Sequence, residues 1–488
     1  MKNLNCLSPS PVARQQGISY PHLAPTQTAT KKRNKPFAAL LLAAAGVIVG
    51  GLTATFSGPV QAWGNHALAA YRVFENMPEV AKAAPVAVEP LEAFLKAQEA
   101  ALEKLLAEQE TWLLANVPNY PPRPAALAFA ANPARDDGAR RLAFLSALRV
   151  APNSKFALYY EPDAKTGMVG LPALQHSDVN TLPAPKDAKD RYVALKAGDT
   201  IEPLKVVASA AYEPDFGLDI NLFADSPSDW GKVYGFGNLP FGNPKLSFST
   251  QAPFHMGFYH EDKILYLAAG FLKRTLPLMR VNQYAGLAAL AHKTGHPYWA
   301  WRFTGLALHY VQDLSQPYHA SVSPGSSTLA LLGTNAMAMA GFPKMKDDTV
   351  TLLSNRHLAL ERYQSQVLQQ AATGGPDQAL AKSLGQMTAD ASYPAWGPLY
   401  VRDVVAKESY DYGPKLAKAI IDSFPAKYVN DPAFDFGANE SGVDLIADLA
   451  KADPVKRSTL DAAAAELLTR FGAHSRNAVR GILKAGGK

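Results

Sequence analysis

Apolar and polar positions along the chain alternate mainly with a helical period. A short helix is predicted over residues 63–80, and a long Ala/Leu/Glu-rich amphipathic helix over 89–116. Tyr120-Pro121-Pro122-Arg123-Pro124 breaks that pattern. A further helix is expected at 139–149. Residues 151–250 are rich in Pro, Gly and Asp and have few periodic stretches, so they read as loops with one short hairpin around Phe156 to Tyr160. From about 253 to the end the helical period dominates. No internal repeat is visible. The expected architecture is all-α: a helical bundle with a large N-terminal insertion of mixed helix and loop at about 80–210.

The first 62 residues depart from this pattern. Lys31 to Lys35 form a cationic cluster, and Phe37 to Phe56 is an almost unbroken apolar run. Ser57-Gly58-Pro59 ends the run, and Val60-Gln61-Ala62 offers small residues for a signal peptidase. Residues 1–62 therefore read as a cleaved signal peptide and residues 63–488 as the mature, exported chain, periplasmic or secreted. The run is also long enough for an uncleaved anchor. The segment accounts for the net charge of +6: it holds six of the 48 basic residues and none of the 42 acidic ones, leaving 42 against 42 beyond it. A broad polyanion-binding surface is not implied. The single cysteine, Cys6, lies in the same segment. The mature chain can thus form no disulfide or thiolate metal site, and any metal must be held by nitrogen and oxygen donors.

Candidate donors recur at helical spacing. In Leu306-Ala-Leu-His309-Tyr-Val-Gln-Asp313-Leu-Ser-Gln316-Pro317-Tyr-His319, His309 and Asp313 stand four apart and project from one helix face. Pro317 is expected to end that helix and to leave His319 just past the turn. His357 and Glu361 repeat the four-residue spacing. His255 and His260, Tyr212-Glu213-Pro214-Asp215 and the nearby Asp219 add imidazoles and carboxylates. Trp63-Gly64-Asn65-His66 places an imidazole three residues after the predicted new amino terminus. Each pair alone is more often a hydrogen-bonded helix pair than a metal site. Their co-occurrence favours metal.

The order of Trp at the new terminus, His, Asp, His, His-x-x-x-Asp, His after Gln-Pro and His-x-x-x-Glu resembles the zinc-dependent phospholipase C family and its S1/P1-type nuclease relatives. The matched motifs run from residue 63 to about 410. They include Tyr212-Glu-Pro-Asp215 and Val404-Val-Ala-Lys407 with Tyr410. The resemblance implies a zinc cluster in a central cleft, with about three zinc ions per chain. Asp215, His255 and His309 would hold one ion, with Asp313 shared. Trp63, through its free amine and carbonyl, and His66 would join Asp313 on a second ion. His319, His357 and Glu361 would hold the third. Asp215 is also the candidate catalytic residue, orienting or deprotonating the nucleophile. Met256 and Gly257 intervene between His255 and Phe258, so His260 stays open as an alternative to His255. His176, His292, His296 and His474 fit no slot.

The implied activity is phosphodiester hydrolysis. Glu361 and the neutral mature chain favour a phospholipase C that acts on glycerophospholipids at a membrane surface and releases diacylglycerol and a phosphorylated head group. Trp63-Gly64 is also how nucleases of the group begin, and single-stranded nucleic acid is the alternative substrate. A non-catalytic, envelope-anchored helical scaffold is the reading from another class. No protein partner is predicted.

Overall fold

The computed structural model describes residues 66–184, 191–244, 247–375, 378–451 and 453–488. The predicted leader, and Trp63 with it, lies outside the described residues. The fold is mostly helical with very little strand, as the apolar periodicity implies. Among the described residues no helix is long and apolar enough to cross a membrane.

The described residues begin with helix α1 (His66–Phe74). The helix expected over 63–80 divides here, because Pro78 starts a separate short turn, Pro78–Ala81. The helix expected at 89–116 is two helices, α2 (Leu91–Ala97) and α3 (Glu99–Asn116). Pro90 sets the start of α2. The break falls at Gln98, whose side chain reaches 3.0 Å to His296, a contact the local pattern does not encode. Helix α4 (Asp137–Leu148) begins with Asp136 accepting a hydrogen bond from the Ala139 amide.

The strands are two or three residues long. β1 (Val86–Ala87) pairs antiparallel with β5 (Thr200–Ile201), while β2 (Tyr159–Tyr160) and β3 (Ala173–Leu174) flank β4 (Tyr192–Ala194). The hairpin expected around 156–160 is therefore not local. Tyr159 and Tyr160 find their partners in Ala194 and Val193, because buried aromatic contacts draw Tyr159 to Tyr192.

Helices α5 (Pro203–Ala210), α6 (Ala252–His255), α7 (Lys263–Ala268), α8 (Pro277–Lys293) and α9 (Pro297–Leu314) follow. After them come α10 (Pro317–Ala320), α11 (Thr328–Met339), α12 (Lys344–Ala372), α13 (Lys407–Ser423) and α14 (Pro454–Ala485). Helix α9 is the axis of the molecule. Every residue from Tyr298 to Leu314 is buried, as expected of a helix surrounded by protein on all sides. It packs on α5, α8 and α14, and α1 packs on α5. It stops at Leu314, and Pro317 opens α10 as a new short helix, so the proline ends the helix as its sequence position implies.

The buried arginine of α9 is paired. Arg302 donates two hydrogen bonds to Glu213, at 2.6 and 3.0 Å. This pair fixes the turn that carries Asp215 against the axis. Close approach of α5 depends on Gly305: a Cβ there would lie 2.5 Å from the Ala210 Cβ and 2.6 Å from the Val207 carbonyl oxygen. Gly305→Ala is expected to cost about 1–3 kcal/mol of stability through overpacking, despite alanine's better helix propensity. Gly333 in α11 meets no atom within 4 Å, so Gly333→Ala should leave the urea midpoint unchanged or raise it. Equal midpoints for Gly305→Ala and the wild type would contradict this packing.

Candidate metal centre

Five elements converge at the C-terminal end of α9. Helix α1 brings His66 at its first turn. The turn after α5 brings Asp215. Helix α6 ends in His255, α10 carries His319, and α12 carries His357 and Glu361. Helix α9 itself supplies His309 and Asp313. All eight side chains are buried.

Three sets of donor atoms lie within 4.8 Å of one another: His66 with His309 and Asp313, Asp215 with His255 and His309, and His319 with His357 and Glu361. Each could hold a metal ion. Asp313 sits between the sets. Its Oδ2 is 2.9 Å from His255 Nδ1 and 3.3 Å from His309 Nε2, and its Oδ1 is 3.5 Å from His66 Nε2 and 3.8 Å from His319 Nδ1. Glu361 Oε1 lies 2.8 Å from His357 Nε2 and 3.3 Å from His319 Nε2. Of the two histidines left open by the sequence, His255 joins a set. His260 instead hydrogen-bonds the Arg402 carbonyl through Nε2 at 2.7 Å.

The imidazoles are oriented by a surrounding layer of acceptors. His309 Nδ1 donates to the Ala211 carbonyl at 2.9 Å, and His319 Nδ1 donates to the His255 carbonyl at 3.0 Å. A carbonyl can only accept, so both rings carry their proton on Nδ1 and present the Nε2 lone pair to the cluster. His66 Nδ1 lies 2.8 Å from Gln312 Oε1, which turns its Nε2 toward Asp313. His255 Nε2 faces Asp219 Oδ2 at 3.5 Å, leaving Nδ1 for the cluster. Asp219 is itself held by Arg280, at 2.6 and 2.8 Å, and by the Tyr310 hydroxyl at 2.6 Å. Carboxylate and carbonyl partners behind histidines are the usual outer layer of a metal site.

The carboxylates show why a cation fits. Both oxygens of Asp215, Oδ1 of Asp313 and Oε2 of Glu361 are buried with no hydrogen-bond donor among the described residues. Buried anionic oxygens in that state are costly unless a cation meets them. Burial pushes the Asp215 carboxyl up to about 7, against the pull of His255 and His66. Burial acts the same way on Asp313, but His309 and His319 outweigh it and hold Asp313 well below the usual carboxylate range. Burial likewise opposes ionisation of Glu361, yet His357 and His319 bring it to about 2. Burial lowers the His309 pKa. His255 is desolvated too, but the Asp219 and Asp313 carboxylates raise it to about 10. A proton on its Nδ1 and a metal ion compete for the same lone pair.

The sequence pattern did not single out Gln312, Arg280, Tyr310 or the Ala211 carbonyl. Gln312 directly precedes Asp313, which is the only local hint of its role. The other histidines make unrelated contacts. His176 bonds the Leu182 carbonyl, His296 faces Glu89, His474 lies between Tyr400 and Glu408, and His292 packs edge-on against Trp301.

No protein-family model, curated protein or solved structure matches the chain. The eight-residue arrangement itself is therefore what bears on function.

The raised Asp215 carboxyl has a measurable consequence in metal-stripped protein. Between about pH 4 and pH 7 the folded state holds a proton on Asp215 that the unfolded state has released. Its contribution to stability therefore falls as the pH rises through that window. The melting temperature of the stripped wild type should drop relative to stripped Asp215→Asn from pH 4 to pH 7, and saturating zinc should abolish the trend. Parallel melting curves for the two proteins would contradict the assignment.

Proposed function

We propose that this protein is an exported, zinc-dependent phosphodiester hydrolase of the phospholipase C type, which cleaves glycerophospholipids to diacylglycerol and a phosphorylated head group. The observation that carries the reading is the sharing between the donor sets. His309 belongs to two of them, and Asp313 stands within 4 Å of histidines from all three. Donor sets this close together suit ions that act jointly on one phosphate. The donors are imidazole and carboxylate without sulfur, which suits zinc. The predicted leader supports export, and removal of residues 1–62 would give Trp63 the free amine that the family resemblance requires beside His66.

The residues divide the work as follows. His66, His309 and Asp313, then Asp215 and His255, and finally His319, His357 and Glu361 hold the ions. Zinc held there would lower the pKa of a coordinated water and offset negative charge on the phosphate. Asp215 has two oxygens without donors, so one can serve a metal while the other orients the attacking water or accepts its proton. Asp219, Gln312 and the Ala211 carbonyl fix ring orientation, so the donors need little reorganisation during reaction. Glu361 at the end of the last ligand pair resembles the phospholipases rather than the nucleases, and the balanced charge of the mature chain gives no compositional sign of a polyanion groove.

Purified mature protein with zinc should release diacylglycerol from phosphatidylcholine and leave single-stranded DNA intact. Asp215→Asn should lower the rate by about 10²–10³-fold or more. Cleavage of the DNA alone would replace lipid by nucleic acid as the substrate. Full zinc occupancy with neither substrate cleaved would favour the scaffold reading.

A further inference from the structure

Two short helices next to the metal centre carry an apolar surface that the core does not use. Helix α7 starts eight residues after His255, and α11 lies between His319 and the helix bearing His357 and Glu361. They touch each other and share a small satellite core of Phe241, Phe258, Leu265, Ala269, Leu272 and Val322, onto which Leu332 of α11 packs. Their outer faces are bare. Leu267 is 75% and Leu329 77% exposed, and Ile264, Met337, Met339, Phe342 and Met345 are exposed too. In α11 only Leu331 and Asn335 are buried, and the Asn335 amide has no hydrogen-bond partner among the described residues. A helix this apolar with so small a buried face lacks most of the environment its sequence calls for.

The chemistry of the patch selects the occupant. Residues 320–343 contain no Asp, Glu, Lys, Arg or His. The exposed side chains are aliphatic and thioether groups with one phenyl ring, without the Tyr, Trp and Arg anchors common at protein interfaces. Cations stand at the border. Lys263 and Lys273 are exposed and make no ion pair among the described residues, and Lys344 is exposed but paired with Asp348. Acids share that border: Glu261 accepts from the Val322 amide at 2.7 Å, Asp262 accepts from the Thr328 hydroxyl, Asp348 pairs with Lys344, and Asp347 is exposed. An apolar centre flanked by the two lysines that make no ion pair among the described residues complements acyl chains beneath anionic head groups. Neither helix is long enough to span a bilayer, so the geometry is that of a surface seat.

We propose that α7, α11 and the 340–345 turn form a lipid-surface docking site, which seats the molecule on a phospholipid bilayer beside the metal centre. The inference rests on the lipid-directed reading above for its choice of occupant. It deepens that reading, because docking next to His255, His319 and His357 would deliver head groups to the ions without free diffusion of lipid through water.

The test uses zinc-loaded mature protein and vesicles of phosphatidylcholine with phosphatidylglycerol. The variant combines Leu267→Ser, Leu329→Ser and Met337→Ser, all at exposed positions, and its fold is checked by thermal melting. Vesicle co-sedimentation should fall at least about tenfold, while cleavage of soluble bis(p-nitrophenyl) phosphate stays unchanged. Wild-type binding by the folded variant would overturn the proposal. So would a wild type that self-associates through the patch in sedimentation velocity and ignores vesicles. Patch-dependent vesicle binding by a wild type that cleaves no diester would keep the docking site and remove the hydrolase reading, so the two failures are distinguishable.

Discussion

The Asp313 carboxylate is wholly buried near the end of helix α9, which is buried from Tyr298 to Leu314. A negative charge in that position is untenable alone. Histidines from α1, α6, α9 and α10 approach it from separate directions, and the fold is arranged so that they can. Asp313 lies in the last turn of α9, the end at which the helix dipole favours positive charge. A cation between these groups answers several buried oxygens at once, where protons on imidazoles answer only some of them.

Two other buried ion pairs serve this arrangement. Arg302 with Glu213 secures the turn bearing Asp215, and Arg280 with Asp219 backs His255. Buried pairs of this kind are weak sources of net stability, yet removing one partner strands the other. Their value here is positional: each holds a segment that carries or backs a cluster residue. Gly305 has a similar part, since the approach of α5 to α9 that it allows brings the Ala211 carbonyl to His309.

What the sequence revealed follows from how far apart in the chain the interacting groups are. His309 with Asp313, and His357 with Glu361, are one helical turn apart, so their geometry was legible from spacing alone. His319 was placed by Pro317. The choice of His255 over His260 needed the structure, because it depends on which way the chain turns after α6 and on the Arg402 carbonyl that engages His260. Gln312, Arg280 and Tyr310 were not legible, since a side chain that orients a ligand carries no periodic signature. The same limit explains the fold-level departures. Gln98 breaks a helix for a partner on the far side of the sequence, and Tyr159 pairs with a strand beyond any local hairpin.

A helical body, a buried multi-donor centre and a bare apolar flank together describe a molecule in which ligands from distant parts of the chain meet at the end of one helix. The most direct test of that description is anomalous diffraction at the zinc edge from crystals of the mature protein grown with zinc. About three peaks are expected: one among Asp215, His255 and His309, one between His66 and Asp313, and one among His319, His357 and Glu361. A single peak, or none, at full zinc saturation would contradict the shared centre on which the functional reading rests.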